Sequence, residues 1–577
     1  MLWISISYLM MFVSGFGLGM GAVKALAYLC GWKDKEARLT HYLITGFILL
    51  TVYAQIVSLF TAVTYIFAFV ALTASIAILL AFHKSLWEDI QGIMKEIVWY
   101  EWILFLIFTV FVMFLTSLYP KQYDNYLYQA QMLRYYEEYG VIKGMGNIST
   151  RLGFNNSIYA LMALYSFKGI YGFSLHTVNS AFCVFFGNFA IHNICRIRKT
   201  KAYVSTGLAA AVLAYVFYNS ELLNCIGTDL SANMIGLMIM LLFAQEIEKR
   251  EKDTFIYGLI SLYIVYAVTV KVSVGMLGIL IFYPAFLMIK KKEWKRIFIF
   301  IPAGLLILVP WLIRNVMISG WLIYPLPSLD LFDVKWKIPY KSVVYETALI
   351  KGWARIQTSK VFETMEMTFS RWFPIWFRGL LLRYRLLLYL NGFCVVYEVA
   401  EILYCICKRE IGVLDWLLLK GTALAGILYW MLSAPDVRLA WGFLAAFPVI
   451  CIFSSKVWGK IVMTSRFKGQ LGNYIFVGMI FCVCCYSFMK ADCVGVFKTS
   501  IAGRINSKAF YIYQGDFSEL PVEEYIINGD VFYWSPAGDQ AGYYGFPGTT
   551  DKALLDNLGY LEEDFEDGVY YKGGQSW

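Results

Sequence analysis

The sequence predicts an all-α polytopic membrane protein of about fourteen spanning helices with a small C-terminal α+β domain on the outer side of the membrane. Two observations carry this. Only 15% of the 577 residues are charged and 59% are hydrophobic, whereas a soluble domain carries roughly a quarter charged residues. Apolar runs of about twenty residues also recur from the first residue to Met489, and in lipid such runs must be helices, because the backbone has to satisfy its own hydrogen bonds.

The runs fall at 2–28, 41–60, 62–82, 99–118, 177–195, 203–222, 231–246, 255–270, 273–289, 297–317, 384–406, 413–433, 438–455 and 472–489. The first lacks a basic leader and is long, so it reads as a retained span. Lys and Arg in short loops face the cytoplasm. The basic clusters at 33–38, 196–201, 248–252, 290–296, 408–409 and 456–468 share one side only if the apolar stretch 155–172 does not cross. That stretch is expected to lie at the interface or to dip part-way. The same rule divides 255–289 into two short spans turning near Lys271. Both termini then lie outside, and residues 1–489 form the membrane domain, with outer loops 119–176 and 318–383. Residues 490–577 form the outer domain, with fourteen acidic against six basic residues.

The net charge of +9 lies in short clusters between spans, not on one soluble face, so nucleic acid is not an expected partner. The twelve cysteines and four histidines show neither a disulfide framework nor metal-ligand spacing. No cofactor is implied; a divalent metal is compatible with the sequence, but nothing in it calls for one.

Polar residues that can carry chemistry gather at the outer boundary. Asp124 follows the fourth span in Y-P-K-Q-Y-D-N-Y-L-Y-Q-A-Q-M-L-R, with Tyr128, Gln131 and Arg134 near its helical face. It is either a helix N-cap or a carboxylate facing a wet cavity, where ionisable groups are costly and functional. Arg151, Asn155 and Asn156, in G-M-G-N-I-S-T-R-L-G-F-N-N-S, hold a polar substrate or cap a turn. Arg314, near the outer end of its span, snorkels to headgroups or grips a phosphate. Asp436 and Arg438, in S-A-P-D-V-R-L-A-W-G, form a local ion pair or face the same cavity; Asp229 and Lys271 are weaker members of this set. R-W-F-P-I-W-F-R, residues 371–378, has the pattern of an interfacial belt helix. Asp539 and Gln540 shape a turn in a Gly-rich loop or reach the outer cavity.

An Asp in the first large outer loop, then a helix with Tyr at i+4, an amphipathic segment and a span ending in a basic loop resembles the GT-C superfamily of membrane glycosyltransferases. The chain is also similar to a family of bacterial multi-span proteins through Y-D-x-x-L-Y, G-x-G-N-x-x-x-R-L-x-F-N, P-W-L-I-R-N to D-V-x-W, A-P-D-x-R and G-D-Q-x-G-Y. These patches cover most of residues 119–545. It departs from that pattern at Gln129, where His is expected. The resemblance implies a polyprenyl-phosphate sugar donor, a glycan or lipid acceptor, Asp124 as catalytic base and a bacterial cytoplasmic membrane. Arg314 or Arg438 would then stabilise the phosphate leaving group. The rival readings are a flippase or polymerase of lipid-linked glycans, or a non-enzymatic scaffold. A flippase needs a charged path through the whole bilayer.

Overall fold

A computed structural model describes residues 1–32, 39–249, 251–358, 360–408, 414–455, 511–536 and 538–573. The expected span at 472–489, the basic clusters at 33–38 and 456–468, and the domain boundary at 490 lie outside the described residues.

The first layer of the bundle is α1 (Leu2–Cys30), α2 (Leu39–Ser58) and α3 (Tyr65–Ala81), followed by α4 (His83–Glu96) and α5 (Trp99–Thr116). Gly31 ends α1 in the left-handed region at φ 64°, a conformation that glycine adopts without strain. Helices α1 and α2 cross at glycine: a Cβ on Gly46 would stand 1.7 Å from the Gly15 carbonyl oxygen. Such contact is how small residues let membrane helices pack without a hydrophobic driving force. Helix α4 bends 84° away from α3 and runs as a separate amphipathic helix, which the apolar-run analysis did not anticipate.

Beyond Asp124 comes a π-helical turn (Asn125–Gln129), then α6 (Ala130–Glu138), α7 (Ile158–Leu164) and α8 (Lys168–Tyr171). The stretch 155–172 therefore holds no helix long enough to cross, since seven residues of helix span only about 10 Å. It is not interfacial either: every residue of α7 is buried, and the helix packs on α2 and α6. The remaining bundle is α9 (Val178–Cys195), the single turn α10 (Ile197–Thr200), α11 (Tyr203–Tyr218), α12 (Thr228–Glu248), α13 (Thr254–Val270), α14 (Phe282–Lys290) and α15 (Trp294–Ser319). A 3-10 stretch, Val272–Ile281, leads into α14, so the chain does break at Lys271.

The long outer loop folds into α16 (Tyr340–Arg355), α17 (Val361–Glu366) and α18 (Phe369–Gly379), and Trp372 and Trp376 of the aromatic run are buried on α18. Then follow α19 (Leu382–Lys408), α20 (Leu414–Ser433) and α21 (Val437–Ser454). Among the described residues, ten helical segments are long and apolar enough to cross a membrane, the bent pair α3–α4 makes an eleventh, and α11 and α13 are apolar but shorter.

The C-terminal domain carries β1 (Glu523–Ile527), β2 (Asp530–Trp534), β3 (Gly548–Thr549), β4 (Leu558–Tyr560) and β5 (Val569–Tyr571). β1 and β2 form an antiparallel hairpin whose turn, Asn528–Gly529, has both φ positive, as a two-residue hairpin requires. β3 joins β2 in parallel, and β4 pairs with β5.

The domain is clamped onto the outer loops. Gln514 donates to the Thr116 carbonyl at 2.9 Å and accepts from the His176 N–H at 3.0 Å. Gln131 donates to the Gly542 and Gly545 carbonyls, both at 2.7 Å. The Val569 N–H reaches the Lys143 carbonyl at 2.9 Å.

Candidate functional site

Five of the charged residues singled out in the sequence converge where α12, α13 and α21 end beneath the π-helical turn. Asp124 stands at the N-cap of that turn, yet its carboxylate makes no cap bond. Instead it accepts from Nη1 of Arg438 at 2.7 Å. The capping alternative is thereby decided against. A π-turn is itself a feature that tends to mark functional positions, because it adds a residue to the helical repeat and re-aims side chains.

Arg438 is the second residue of α21. Its backbone N–H donates to Asp436 Oδ1 at 3.0 Å, so Asp436 is the helix cap, and its Nε lies 3.0 Å from Asp436 Oδ2. The same Nε is 3.9 Å from Asp229 Oδ2. Asp229, in the first turn of α12, is bonded on its other oxygen by Lys271. The side chain of Asp229 is 8% exposed and that of Asp124 18%, whereas Arg438 keeps 50% of its side-chain surface open. One guanidinium thus touches three carboxylates and still presents an open side. Burial pushes the Asp436 carboxyl up, against the pull of Arg438.

The turn that carries Arg438 is held from three directions. Trp376 donates to the Pro435 carbonyl at 2.8 Å, and Trp430 to the Asp436 carbonyl at 2.6 Å. The third hold is Asn233 of α12. Its Nδ2 donates to the Arg438 carbonyl at 2.9 Å, and its Oδ1 accepts from the Gly442 N–H at 2.8 Å. In an unbroken helix those two backbone groups would bond each other. The amide has inserted itself into the ladder, and α21 kinks accordingly at Ala440, whose φ is −128°.

Two phenols complete the wall. Tyr128 packs its ring 5.7 Å from Phe154. Tyr159 is fully buried, and its hydroxyl has no hydrogen-bond partner. Burial, then the nearby charges of Asp124 and Asp229, hold both phenols protonated. They are therefore available as donors beside the carboxylates.

Other expected site residues are placed elsewhere. Arg314 is fully buried, stacked on the Tyr136 ring at 3.7 Å and donating to Ser58 Oγ at 2.9 Å and the Gly140 carbonyl at 2.8 Å. It neither snorkels nor faces the cluster, and the phosphate-gripping role expected for it is corrected. Gln131 and Arg134 are corrected too: their side chains hold the C-terminal domain, Arg134 through the Tyr543 carbonyl at 2.9 Å and Glu138 at 2.7 Å.

Asn155 bonds the Trp311 carbonyl at 3.0 Å, and Asn156 bonds the Val270 carbonyl at 2.9 Å and Thr228 Oγ1 at 3.2 Å. Asn156 thus ties together the ends of α12 and α13 that carry Asp229 and Lys271; both Asn side chains support the site rather than line it. Arg151 sits 3.6 Å from Glu346. Asp539 accepts from Tyr123, and Gln540 donates to the Tyr123 carbonyl at 2.9 Å, so the Gly-rich loop does reach the residue beside Asp124.

Sequence reasoning missed Asn233, Tyr159, Trp376 and Trp430. A lone Asn in an apolar helix was the one readable signal among them, since polar groups in lipid are costly. Among the described residues no three His, Cys, Asp or Glu are placed to hold a metal ion.

Residues 1–445 match the family described as a domain of unknown function, DUF8201, and the chain belongs to that family. No curated protein matches the chain, and no solved structure does.

Proposed function

We propose that this DUF8201 protein is a membrane glycosyltransferase of the GT-C type, using a polyprenyl-phosphate sugar at the outer face of a bacterial cytoplasmic membrane. The observation that carries the reading is the contact between Asp124 and the half-open guanidinium of Arg438. A transferase needs a carboxylate to take the acceptor's proton and a cation for the departing phosphate.

In the proposed step the acceptor hydroxyl oxygen bonds to the anomeric carbon, and its proton passes to Asp124. The anomeric carbon–phosphate oxygen bond breaks, and the electron pair leaves on the polyprenyl phosphate, which Arg438 binds. The phosphate displaces Asp124 from Arg438, which frees the carboxylate as a base. An exposed ion pair is worth only about 0–1 kcal/mol, so that exchange is cheap. Lys271 and Asp229 hold Arg438's surroundings in place. Tyr128 and Tyr159 donate to sugar or phosphate oxygens.

Fourteen crossings follow if the ten long helices, the bent pair, the two shorter helices and the run 472–489 all span. The N-terminal amino group lies 3.4 Å from the Tyr513 carbonyl, which supports both termini on the side of Asp124. The test is transfer from a synthetic polyprenyl-phosphate monosaccharide by the purified, folded protein. Asp124→Asn is expected to lower turnover by about 10²–10⁴-fold. Full activity of that variant rules the reading out. A polymerase would instead demand long lipid-linked glycans as donor.

A further inference from the structure

At the end of the bundle opposite Asp124 lies a cavity of about 800 Å³ that the transfer reaction does not use. It is enclosed by the start of α2, the inner ends of α9 and α12, the start of α11, and α4. No residue of α4 is buried. The helix presents Glu88, Asp89, Gly92 and Glu96 to the cavity, while Trp87 is 62% and Met94 54% exposed. An amphipathic helix with an exposed Trp fits the headgroup layer.

The lining has two halves. Phe12, Leu43, Phe105, Phe185 and Phe189 supply an apolar half. The charged half is Glu88, Asp89, Glu96 and Glu248 against Arg196 and Lys249, which is acidic on balance. Glu96 takes Nη1 of Arg196, and Glu248 caps α11 through the Val204 N–H at 2.9 Å. Two buried atoms of the lining remain without a partner: Nε of Arg196, a donor, and Oδ1 of Asn188, an acceptor. Leaving such atoms unmet costs roughly 1–3 kcal/mol each, so an occupant that answers both is favoured.

We propose that this cavity binds one zwitterionic phospholipid with a primary ammonium headgroup. Its phosphate meets Arg196 Nε. Its ammonium lies among Asn188 Oδ1, Glu88 and Asp89, and its first methylenes lie on the phenylalanines. A net-anionic headgroup would meet the acidic lining without an ammonium to offset it. The volume is that of a typical small-ligand site, about 300–1,000 Å³. This site stands independently of the transferase reading.

The experiment is native mass spectrometry of the full-length protein exchanged into micelles containing equal dioleoyl phosphatidylethanolamine and dioleoyl phosphatidylglycerol. The wild type is expected to retain one phosphatidylethanolamine with a preference of about tenfold or more. Gly92→Phe tests the cavity itself. A Cβ at Gly92 meets nothing within 4 Å, so the ring can enter the space without moving backbone, and removing a helical glycine does not threaten the fold. That variant should lose the retained lipid, and Asn188→Leu should abolish the headgroup preference. Equal retention of the two lipids by the wild type, or unchanged retention in Gly92→Phe, overturns the proposal.

Discussion

A single guanidinium organises the outer site. Arg438 is held by Asp124, Asp436 and Asp229 at once, and its planar fork makes the contacts directional. Arg438→Lys keeps the charge and loses the fork. We expect the KM for the lipid-phosphate donor to rise about tenfold or more, read from initial rates, with the melting temperature little changed. Lys271 is a different case. Its partner Asp229 is buried, and removing one member of a buried pair leaves an uncompensated charge. Lys271→Met should therefore lower stability by about 3–5 kcal/mol in denaturant titration, whereas Lys271→Arg should retain most of it. Arg314 separates fold from chemistry. Arg314→Met orphans the Ser58 hydroxyl and the Gly140 carbonyl, so we expect a stability loss of about 2–4 kcal/mol with KM for donor unchanged in the folded fraction. A selective KM effect would return Arg314 to the site.

At the scale of elements, two devices shape the bundle. The first is the Asn233 amide inside the ladder of α21, which sets the direction of the turn bearing Arg438. Asn233→Leu leaves the Arg438 carbonyl and the Gly442 N–H to re-form a straight helix. The expected result is a fall in turnover larger than any fall in stability, because Arg438 moves while its helix survives. Unchanged turnover would show that the kink does not position Arg438. The second is the glycine crossing of α1 and α2. Gly46→Val drives a side chain into the Gly15 backbone, and a thermal melt should register destabilisation of about 1–3 kcal/mol or more.

At the scale of the whole molecule, the C-terminal domain sits above the Asp124 segment and is pinned beside His176. Burial pushes the His176 imidazole down to about 4 from its ordinary 6.5, so the docked ring is neutral. When the domain detaches the ring can take a proton. As pH falls from 6.5 toward about 4, the detached form gains a proton that the docked form lacks, and docking weakens; below that window the effect is complete. Its size is about 3 kcal/mol over the window. Buried Glu137, whose carboxyl is raised by burial, works in the opposite sense above its ordinary range, so the imidazole is isolated by comparison with His176→Phe. Hydrogen exchange of residues 514–548 should accelerate on acidification in the wild type and much less in that variant. Equal acceleration in both removes His176 as the cause.

The sequence by itself determined the membrane class, most helix positions and the break at Lys271, because lipid forces backbone hydrogen bonds inward and makes apolar runs legible without any partner. Charge asymmetry likewise denied 155–172 a crossing. It also named Asp124, Asp229, Lys271, Asp436 and Arg438, since charged residues beside apolar runs stand out. Only the tertiary structure decided that these five meet, and that Arg314, Gln131 and Arg134 are occupied with holding the fold. Helical spacing puts Gln131 and Arg134 near the face of Asp124, but which neighbour a side chain satisfies depends on segments hundreds of residues away. Asp124 and Arg438 are 314 positions apart, and no local pattern encodes that contact. It is fixed by how α12 and α21 pack, and that packing is a property of the assembled bundle.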